Sequence, residues 1–297
     1  MRTEQQMLDL ILETARCDER IRAVVMNGSR VNPRAPRDPF QDFDIVYIVT
    51  DVAPFRHNLE WIRRFGELMI LQMPEEMGDP PPSGEGFFSY LMQFLDGNRI
   101  DLGIFTFSQW QARGRDSLSL LLLDKDGIIE PFPPADESNY FPRPPTAREF
   151  FDCCNEFWWV APYVAKGLWR REILYARIML DEVIRNQQLM KMLRWHIGVK
   201  TDFQVSPGKL GKYFQRYLEP ELWEMLLKTF SDASYENTWD SLFTMCELFR
   251  KTAIPIAEHS GCEYPFDDDR RVTAHLKYVR ALPRDAKELY PGKQHDS

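Results

Sequence analysis

The sequence predicts an α+β fold in which a mixed β-sheet with flanking helices is followed by an α-helical bundle. In the first part of the chain, short runs rich in β-branched and aromatic residues alternate with helical stretches. After residue 145, the apolar residues follow helical spacing almost throughout. A Pro-rich stretch separates the two patterns and marks the domain boundary. We therefore predict a first domain over 1–135, a helical domain over 146–285 and a loosely held tail over 286–297.

The first domain is predicted to contain an N-terminal helix and five strands. Residues 3–16 place Met7, Leu10 and Ile11 at the spacing of an amphipathic helix. A second helical stretch is expected at about 56–66. The strand candidates are short runs bounded by turn-forming residues, at 21–27, 43–50, 68–73, 87–95 and 99–107. Because Asp96-Gly97-Asn98 is a hairpin signal, the last two strands are predicted to pair antiparallel.

Helices are predicted throughout the second domain. Thr146 and Glu149 have the spacing of a capping box, in which each side chain bonds to the backbone N–H of the other residue. A helix should therefore begin at about residue 147 and end near Gly167. The acidic triplet at 267–269 follows a proline and is predicted to lie in a solvated loop. Further helices are expected at 168–200, 208–218, 220–230 and 234–258.

Composition restricts the class of protein. The 297 residues include 37 Lys and Arg against 45 Asp and Glu, which gives a formal charge of −8. Nucleic-acid binding needs clustered positive charge, so we expect no nucleic-acid partner, whereas a cationic small molecule suits this balance. The longest apolar run, Leu118–Leu123, is far shorter than the ~18 residues of a membrane helix, so no membrane partner is expected. Five Cys without a CxxC pair, and no signal-peptide pattern, favour a cytoplasmic location.

Three acidic residues point to chemistry. Asp42 and Asp44 open the second predicted strand, and Asp101 lies inside a later one. Side chains at i and i+2 of a strand project to the same side, so Asp42 and Asp44 are predicted to lie together. Because adjacent carboxylates repel unless a cation lies between them, and because Mg²⁺ selects oxygen ligands, the pair indicates a magnesium site. Asp101 on a neighbouring strand would complete a site for two Mg²⁺ ions.

A glycine–serine turn precedes the acidic pair. The first predicted strand ends at Asn27 and runs into Gly28 and Ser29. Glycine lets the backbone approach a ligand closely, and the turn offers N–H and hydroxyl donors for phosphate oxygens. Arg30 follows the turn directly and is a further candidate phosphate ligand.

The order of these elements resembles the signature of the DNA-polymerase-β-like nucleotidyltransferase superfamily. That signature consists of a Gly-Ser turn, a short spacer, Asp-x-Asp on a strand and a third Asp on a later strand. Gly28, Ser29, Asp42, Asp44 and Asp101 match it in order. The resemblance implies a nucleotidyltransferase-type sheet, with the three Asp as catalytic metal ligands and ATP as co-substrate.

Longer stretches of the chain are similar to the streptomycin (aminoglycoside) 6-adenylyltransferase family. The similarity extends from residue 1 to about residue 265. It includes the segments MNGSRVNPRAP, FQDFDIVYIVTDV, LLDKDG, TAREFFDCCNEFWWVAPYVAKGLWRREILYA, MLRWHI and SLFTMCELFRK. This resemblance implies transfer of AMP from ATP to the 6-hydroxyl of the streptidine ring of streptomycin, with release of pyrophosphate and inactivation of the antibiotic.

The first helix of the second domain offers candidate substrate ligands. Glu149, Asp152 and Glu156 are spaced to share one helix face, and Trp159 and Tyr163 continue it. Carboxylates pair with guanidinium groups and aromatic rings stack on them, so this face suits a dicationic guanidino sugar. The alternative is an ordinary solvated face, with Glu149 serving only as a helix cap and Trp159 serving only in packing.

Two further assignments concern the reaction itself. Lys166, on the same helix, is a candidate for contact with the triphosphate, and an ordinary surface lysine is the alternative. The proton of the attacking hydroxyl needs an acceptor, for which Asp101 is the first candidate and Glu149 the second.

Three functions are compatible with the sequence. The first is adenylylation of an aminoglycoside. The second is nucleotidyl transfer to another acceptor, such as a different aminoglycoside, a protein or an RNA end, and the negative charge disfavours RNA. The third is a non-catalytic nucleotide- or drug-binding module, which has no need of three metal-binding acids. The expected oligomeric state is a monomer or a weak homodimer.

Overall fold

The computed structural model describes residues 1–82 and 86–290. The chain divides into two compact units, one that ends at Asn139 and one that begins at Tyr140. Each unit has a hydrophobic core of its own. The predicted tail is described only up to Tyr290, and residues 291–297 lie outside the described part of the chain.

The first unit is built on a six-stranded mixed sheet with the strand order β3-β4-β5-β2-β1-β6. Only the β2–β5 pair is parallel among the described neighbours, and β4–β5 is the predicted antiparallel hairpin. The α+β prediction is therefore confirmed. The strands are β1 (Ile21–Asn27), β2 (Phe43–Val49), β3 (Leu68–Gln72), β4 (Phe87–Phe94), β5 (Arg99–Thr106) and β6 (Ser119–Asp124).

Helix α1 (Glu4–Cys17) packs on the sheet and begins at Thr3 in a capping box with Gln6. Its residues Met7 and Ile11 are fully buried in the main core of this unit, and each such side chain contributes roughly 1.5–3 kcal/mol by burial. The Tyr47 hydroxyl of β2 donates to the Ile11 carbonyl at 2.6 Å, which fixes α1 on the sheet. Two shorter helices, α2 (Leu59–Ile62) and α3 (Phe107–Arg113), complete the unit.

The structure differs from the sequence prediction at two places in this unit. The predicted helix at 56–66 is reduced to α2 and a 3₁₀ turn, because Gly66, with a φ of +137°, ends the helical path. Strand β6 was not predicted, since a short continuous apolar run does not show the alternation that marks a strand.

Helices make up the second unit, as predicted. The capping box of Thr146 and Glu149 is present, and α4 continues past Gly167 to a left-handed cap at Arg171, with a φ of +62°. A π-helical stretch, Met179–Leu189, connects α5 to α6. Among the described residues, no helix is both long and apolar enough to cross a membrane. The helices are α4 (Ala147–Arg170), α5 (Ile173–Ile178), α6 (Met190–Lys200), α7 (Phe214–Tyr217), α8 (Pro220–Lys228), α9 (Tyr235–Ser260) and α10 (Phe266–Ala281).

The prediction of a solvated loop at 267–269 was wrong. These acids form the first turn of α10, where negative charge is favoured by the helix dipole. Asp269 is buried, and its carboxylate accepts hydrogen bonds from Arg250 Nε at 2.6 Å and from the Tyr264 hydroxyl at 2.9 Å. The partner arginine lies on another helix, so local sequence did not reveal the pair.

The described end of the predicted tail also packs on α10. The Tyr290 ring stacks on the Tyr278 ring with centroids 4.5 Å apart, and the Tyr290 hydroxyl lies 2.7 Å from His275 Nδ1. This part of the tail is therefore held by aromatic contacts.

Candidate active site

A row of polar residues crosses three neighbouring strands. Asn27 of β1 pairs with Asp44 of β2, and Asp44 pairs in turn with Asp101 of β5. Because β2 and β5 pair in register, residues at the same level of these strands project to the same side of the sheet. Asp42 lies two residues before Asp44 and continues the same face.

The carboxylates of Asp42, Asp44 and Asp101 converge at this point. One oxygen from each lies within 4.8 Å of the others, and all three residues are partly buried. This set of anionic, oxygen-only ligands fits Mg²⁺, which binds carboxylates while it keeps several water ligands. The structure thus brings together the three acids that the sequence singled out.

Gly28 provides the space for Asp44. Its φ of +76° is a left-handed value that favours glycine, and it begins the 3₁₀ turn Gly28–Arg30. A Cβ built on Gly28 would lie 3.0 Å from Asp44 Cγ and would overlap its Oδ2. The Gly28 N–H already donates to the Leu118 carbonyl at 3.0 Å. Ser29, the next residue of the turn, is half-buried, and its hydroxyl stays the predicted donor to a ligand.

Arg30 is bound to the loop that leads to Asp42. Its Nε donates to the Asp42 carbonyl at 2.9 Å and its Nη2 to the Gln41 carbonyl at 2.6 Å, while Nη1 lies 3.3 Å from Glu4 Oε2. The guanidinium carbon stacks 3.7 Å from the centroid of the Phe43 ring, and burial lowers the pKa of the guanidinium. These contacts hold Arg30 against the loop that carries Asp42, and its predicted role as a phosphate ligand stays a prediction.

Arg99 belongs to the site, although sequence reasoning did not identify it. It is the first residue of β5, and its Nε and Nη2 each donate to one oxygen of Asp101 at 2.7 Å. The same Nε lies 3.8 Å from Asp42 Oδ2. The hydrogen bonds to Asp101 raise the pKa of Arg99. The i, i+2 spacing of Arg99 and Asp101 on one strand is the signal that could have found it.

Two of the predicted substrate ligands in the helical unit have partners at the start of α4. Glu149 Oε2 accepts from the Thr146 N–H at 2.8 Å and from its hydroxyl at 2.9 Å, and these bonds lower the pKa of Glu149. Asp152 pairs with Arg148, whose Nε lies 2.9 Å from Asp152 Oδ2. Both acids are exposed, so their charges face solvent.

The remaining predicted ligands continue along the same exposed side of α4. Glu156 is exposed, Trp159 is 63% exposed, and the Trp159 and Tyr163 rings meet edge to face with centroids 6.4 Å apart. Lys166 is also exposed, with its Nζ 4.9 Å from the centroid of the Tyr163 ring. The structure therefore presents an acidic and aromatic stripe on α4, as the helical spacing predicts. Lys166 lines a cavity of about 390 Å³ in this unit, together with Tyr163, Trp169, Arg170 and His275.

The similarity to a known family extends beyond the site residues to most of the chain. The model of the family described as "Streptomycin adenylyltransferase" matches residues 1–279, which include the triad, the Gly28 turn and α4. The chain belongs to the streptomycin adenylyltransferase family. Members of this family are nucleotidyltransferases, so the chain is an enzyme of that class, as the sequence predicts.

Relatives of known name support the same family. The chain is 43% identical over 281 residues to "Aminoglycoside 6-adenylyltransferase" of Bacillus subtilis (strain 168), which covers 94% of this chain and 98% of the relative. It is 41% identical over 276 residues to the Campylobacter jejuni protein of that name, covering 91% and 93% of the two chains. A crystal structure of an aminoglycoside 6-adenyltransferase from Bacillus subtilis is 39% identical, has a TM-score of 0.47, and covers 95% of this chain and 100% of its own. The family match and the two relatives from Bacillus subtilis (strain 168) and Campylobacter jejuni confirm the resemblance to the streptomycin (aminoglycoside) 6-adenylyltransferase family.

Proposed function

We propose that this member of the streptomycin adenylyltransferase family transfers AMP from ATP to the 6-hydroxyl of streptomycin and releases pyrophosphate. The observation that carries the proposal is the convergence of Asp42, Asp44 and Asp101 beside the Gly28 turn. The chain is also 43% identical to an aminoglycoside 6-adenylyltransferase. In the reaction, the hydroxyl oxygen bonds to the α-phosphorus as the bond from that phosphorus to the bridging oxygen breaks. Because the reaction consumes ATP, we propose a cytoplasmic location.

The three Asp residues would hold two Mg²⁺ ions, since they supply the oxygen ligands that Mg²⁺ prefers. Such ions, when bound, neutralise the phosphates and lower the pKa of the attacking hydroxyl. Of the chain's own groups, the Ser29 hydroxyl binds phosphate oxygens, and Gly28 lets the backbone lie close to them. Most of the acceleration is expected from positioning and charge neutralisation.

Asp101 is favoured over Glu149 as the acceptor of the hydroxyl proton. The preference rests on position, because both carboxylates already accept two hydrogen bonds, Glu149 from Thr146 and Asp101 from Arg99. Asp101 lies in the triad, next to the position that we assign to the reacting phosphate.

The exposed stripe of α4 is proposed to bind the cationic sugar. Asp152 and Glu156 would pair with guanidinium groups, and Trp159 and Tyr163 would stack on them. The role of Glu149 in this face is secondary, because its carboxylate already caps the helix. Lys166, at the end of the stripe, is proposed to contact the triphosphate.

Mass spectrometry of streptomycin after incubation with the protein, ATP and Mg²⁺ tests the proposal. We expect the antibiotic to gain one AMP, with one pyrophosphate released, and we expect EDTA to stop the reaction. A parallel set of other aminoglycosides tests the second acceptor class. Binding of ATP without Mg²⁺ dependence and without any AMP transfer would instead support a non-catalytic binding module.

The variants Glu156→Gln and Trp159→Ala test the stripe on α4. Each should raise the KM for streptomycin by ~5- to 50-fold, because a charged or stacking contact of ~1–2 kcal/mol is lost. The KM for ATP should stay unchanged in both variants. Glu224→Gln, which alters an exposed acid on α8, is the matched control and should change neither constant. Unaltered streptomycin kinetics in both α4 variants would remove the stripe from the substrate site.

The variant Arg30→Met separates the two roles considered for Arg30. If Arg30 positions Asp42, kcat should fall by ~10- to 100-fold with little change in the KM for ATP, because a small displacement of a metal ligand is costly. If Arg30 binds phosphate, the KM for ATP should rise instead. The melting temperature should also fall, because two backbone carbonyls lose their donors. Arg37→Met, at an exposed arginine 3.8 Å from Glu4, is the control and should keep normal kinetics.

A further inference from the structure

Arg99 binds both carboxylate oxygens of Asp101, one of the three proposed metal ligands. The Asp101 carboxylate accepts a two-pronged pair of hydrogen bonds from Arg99 Nε and Nη2, each 2.7 Å long. The same guanidinium lies 3.8 Å from Asp42 Oδ2. One positive charge therefore faces two of the three carboxylates of the triad.

The contacts of Arg99 differ from those of an arginine with a structural role. The Arg99 side chain is 45% exposed, and its hydrogen-bond partner within the described residues is a carboxylate, with no backbone carbonyl involved. Arg30, in contrast, is 8% exposed and donates to two backbone carbonyls. Arg99 can therefore leave Asp101 without breaking a contact that holds the loop or the sheet together.

A divalent cation and the Arg99 guanidinium are competing partners for Asp101. Both are attracted to the carboxylate, and they repel each other at the short distances that the triad imposes. Phosphate oxygens are an alternative partner, because the planar guanidinium binds phosphate with the same two-pronged geometry that it uses with carboxylate. Arg99 lies beside the triad, 2.7 Å from Asp101 and 3.8 Å from Asp42, and its side chain is 45% exposed, so solvent-side phosphates can approach it.

We propose that Arg99 competes with the divalent cation for Asp101 and, once displaced, binds the phosphates of the nucleotide. Arg99 thereby couples metal binding to nucleotide binding and opposes occupation of the triad by metal alone. This inference rests on the proposed function, in which the triad holds the metals of ATP-dependent transfer.

The test is the variant Arg99→Gln, with Mn²⁺ binding measured by calorimetry on the full chain without nucleotide. We expect Mn²⁺ to bind ~3- to 10-fold more tightly than in the wild type, because a competing charge within ~4–6 Å of the ligand is gone. In steady-state assays, the KM for ATP should rise by ~10-fold or more, because a charge-assisted contact to phosphate is lost. A role confined to folding would not strengthen Mn²⁺ binding and raise the KM for ATP at the same time.

Two controls make the outcome specific. Arg22→Gln removes another two-pronged arginine–aspartate pair, that of Arg22 with Asp126, at the far end of β1, and it should change neither affinity. Asp101→Asn should weaken Mn²⁺ binding. If Asp101→Asn weakens it but Arg99→Gln leaves Mn²⁺ affinity or the KM for ATP unchanged, the Arg99 proposal is overturned and the proposed function stands. If the wild type binds no Mn²⁺ or transfers no AMP, the proposed function itself fails.

Discussion

We expect Asp44→Asn to lower the turnover of AMP transfer by ~10³-fold or more while the protein keeps its fold. Asp44 is the central member of the polar row, between Asn27 on β1 and Asp101 on β5. The substitution keeps the size of the side chain but removes the negative charge with which Asp44 would attract the cation. Loss of this ligand removes charge stabilisation at the transferring phosphate, so the effect should fall on kcat and on metal affinity together.

The same variant should keep most of its thermal stability. Three carboxylates with oxygens within 4.8 Å repel one another, and the substitution removes one of these charges. Pyrophosphate release and thermal melting measure the two effects separately. Asp9→Asn, at an exposed acid on α1, is the control and should leave both unchanged. Turnover within tenfold of the wild type would show that Asp44 holds no essential metal, and a large drop in melting temperature would indicate a structural role instead.

The acids of the site were predictable because their spacing is local. The i, i+2 relation of Asp42 and Asp44 on an apolar strand fixes their common side whatever the topology. Placing Asp101 beside them required an assumption about which strands are neighbours. In the structure, β2 and β5 are parallel neighbours, as that assumption requires. A parallel pair needs a long crossover connection, which no local pattern specifies.

Features that depend on distant partners were not visible in the local sequence. The burial of Asp269 depends on Arg250, which is 19 residues away on another helix. Arg30 follows the Gly-Ser turn, so proximity in sequence suggested phosphate, whereas its donors meet the loop carbonyls that precede β2. In both cases, the choice among possible partners is made by tertiary packing, which propensity and spacing do not encode.

We expect Gly28→Ala to lower both stability and turnover. The positive φ of +76° costs an L-residue ~1–2 kcal/mol, because its Cβ approaches the backbone too closely. The new methyl group would also overlap Asp44 Oδ2, so the Asp44 carboxylate must move. A shift of ~1 Å in a catalytic group lowers activity by ~10²-fold, and we expect a fall of that order in kcat. Thermal melting and pyrophosphate release measure the two effects.

Gly127→Ala separates backbone strain from the steric effect at Asp44. Gly127 also has a positive φ, of +65°, but a Cβ built there meets nothing within 4 Å. This variant should therefore lose stability to a similar degree and keep its turnover. The double variant Gly28→Ala with Asp44→Asn completes the comparison, because effects that act through one side chain are not additive. If Gly28 acts by making room for the Asp44 carboxylate, Gly28→Ala should cost far less turnover when that carboxylate is already lost. An undiminished loss in the double variant would mean that Gly28 acts directly on the bound nucleotide, through the close approach of its backbone to phosphate.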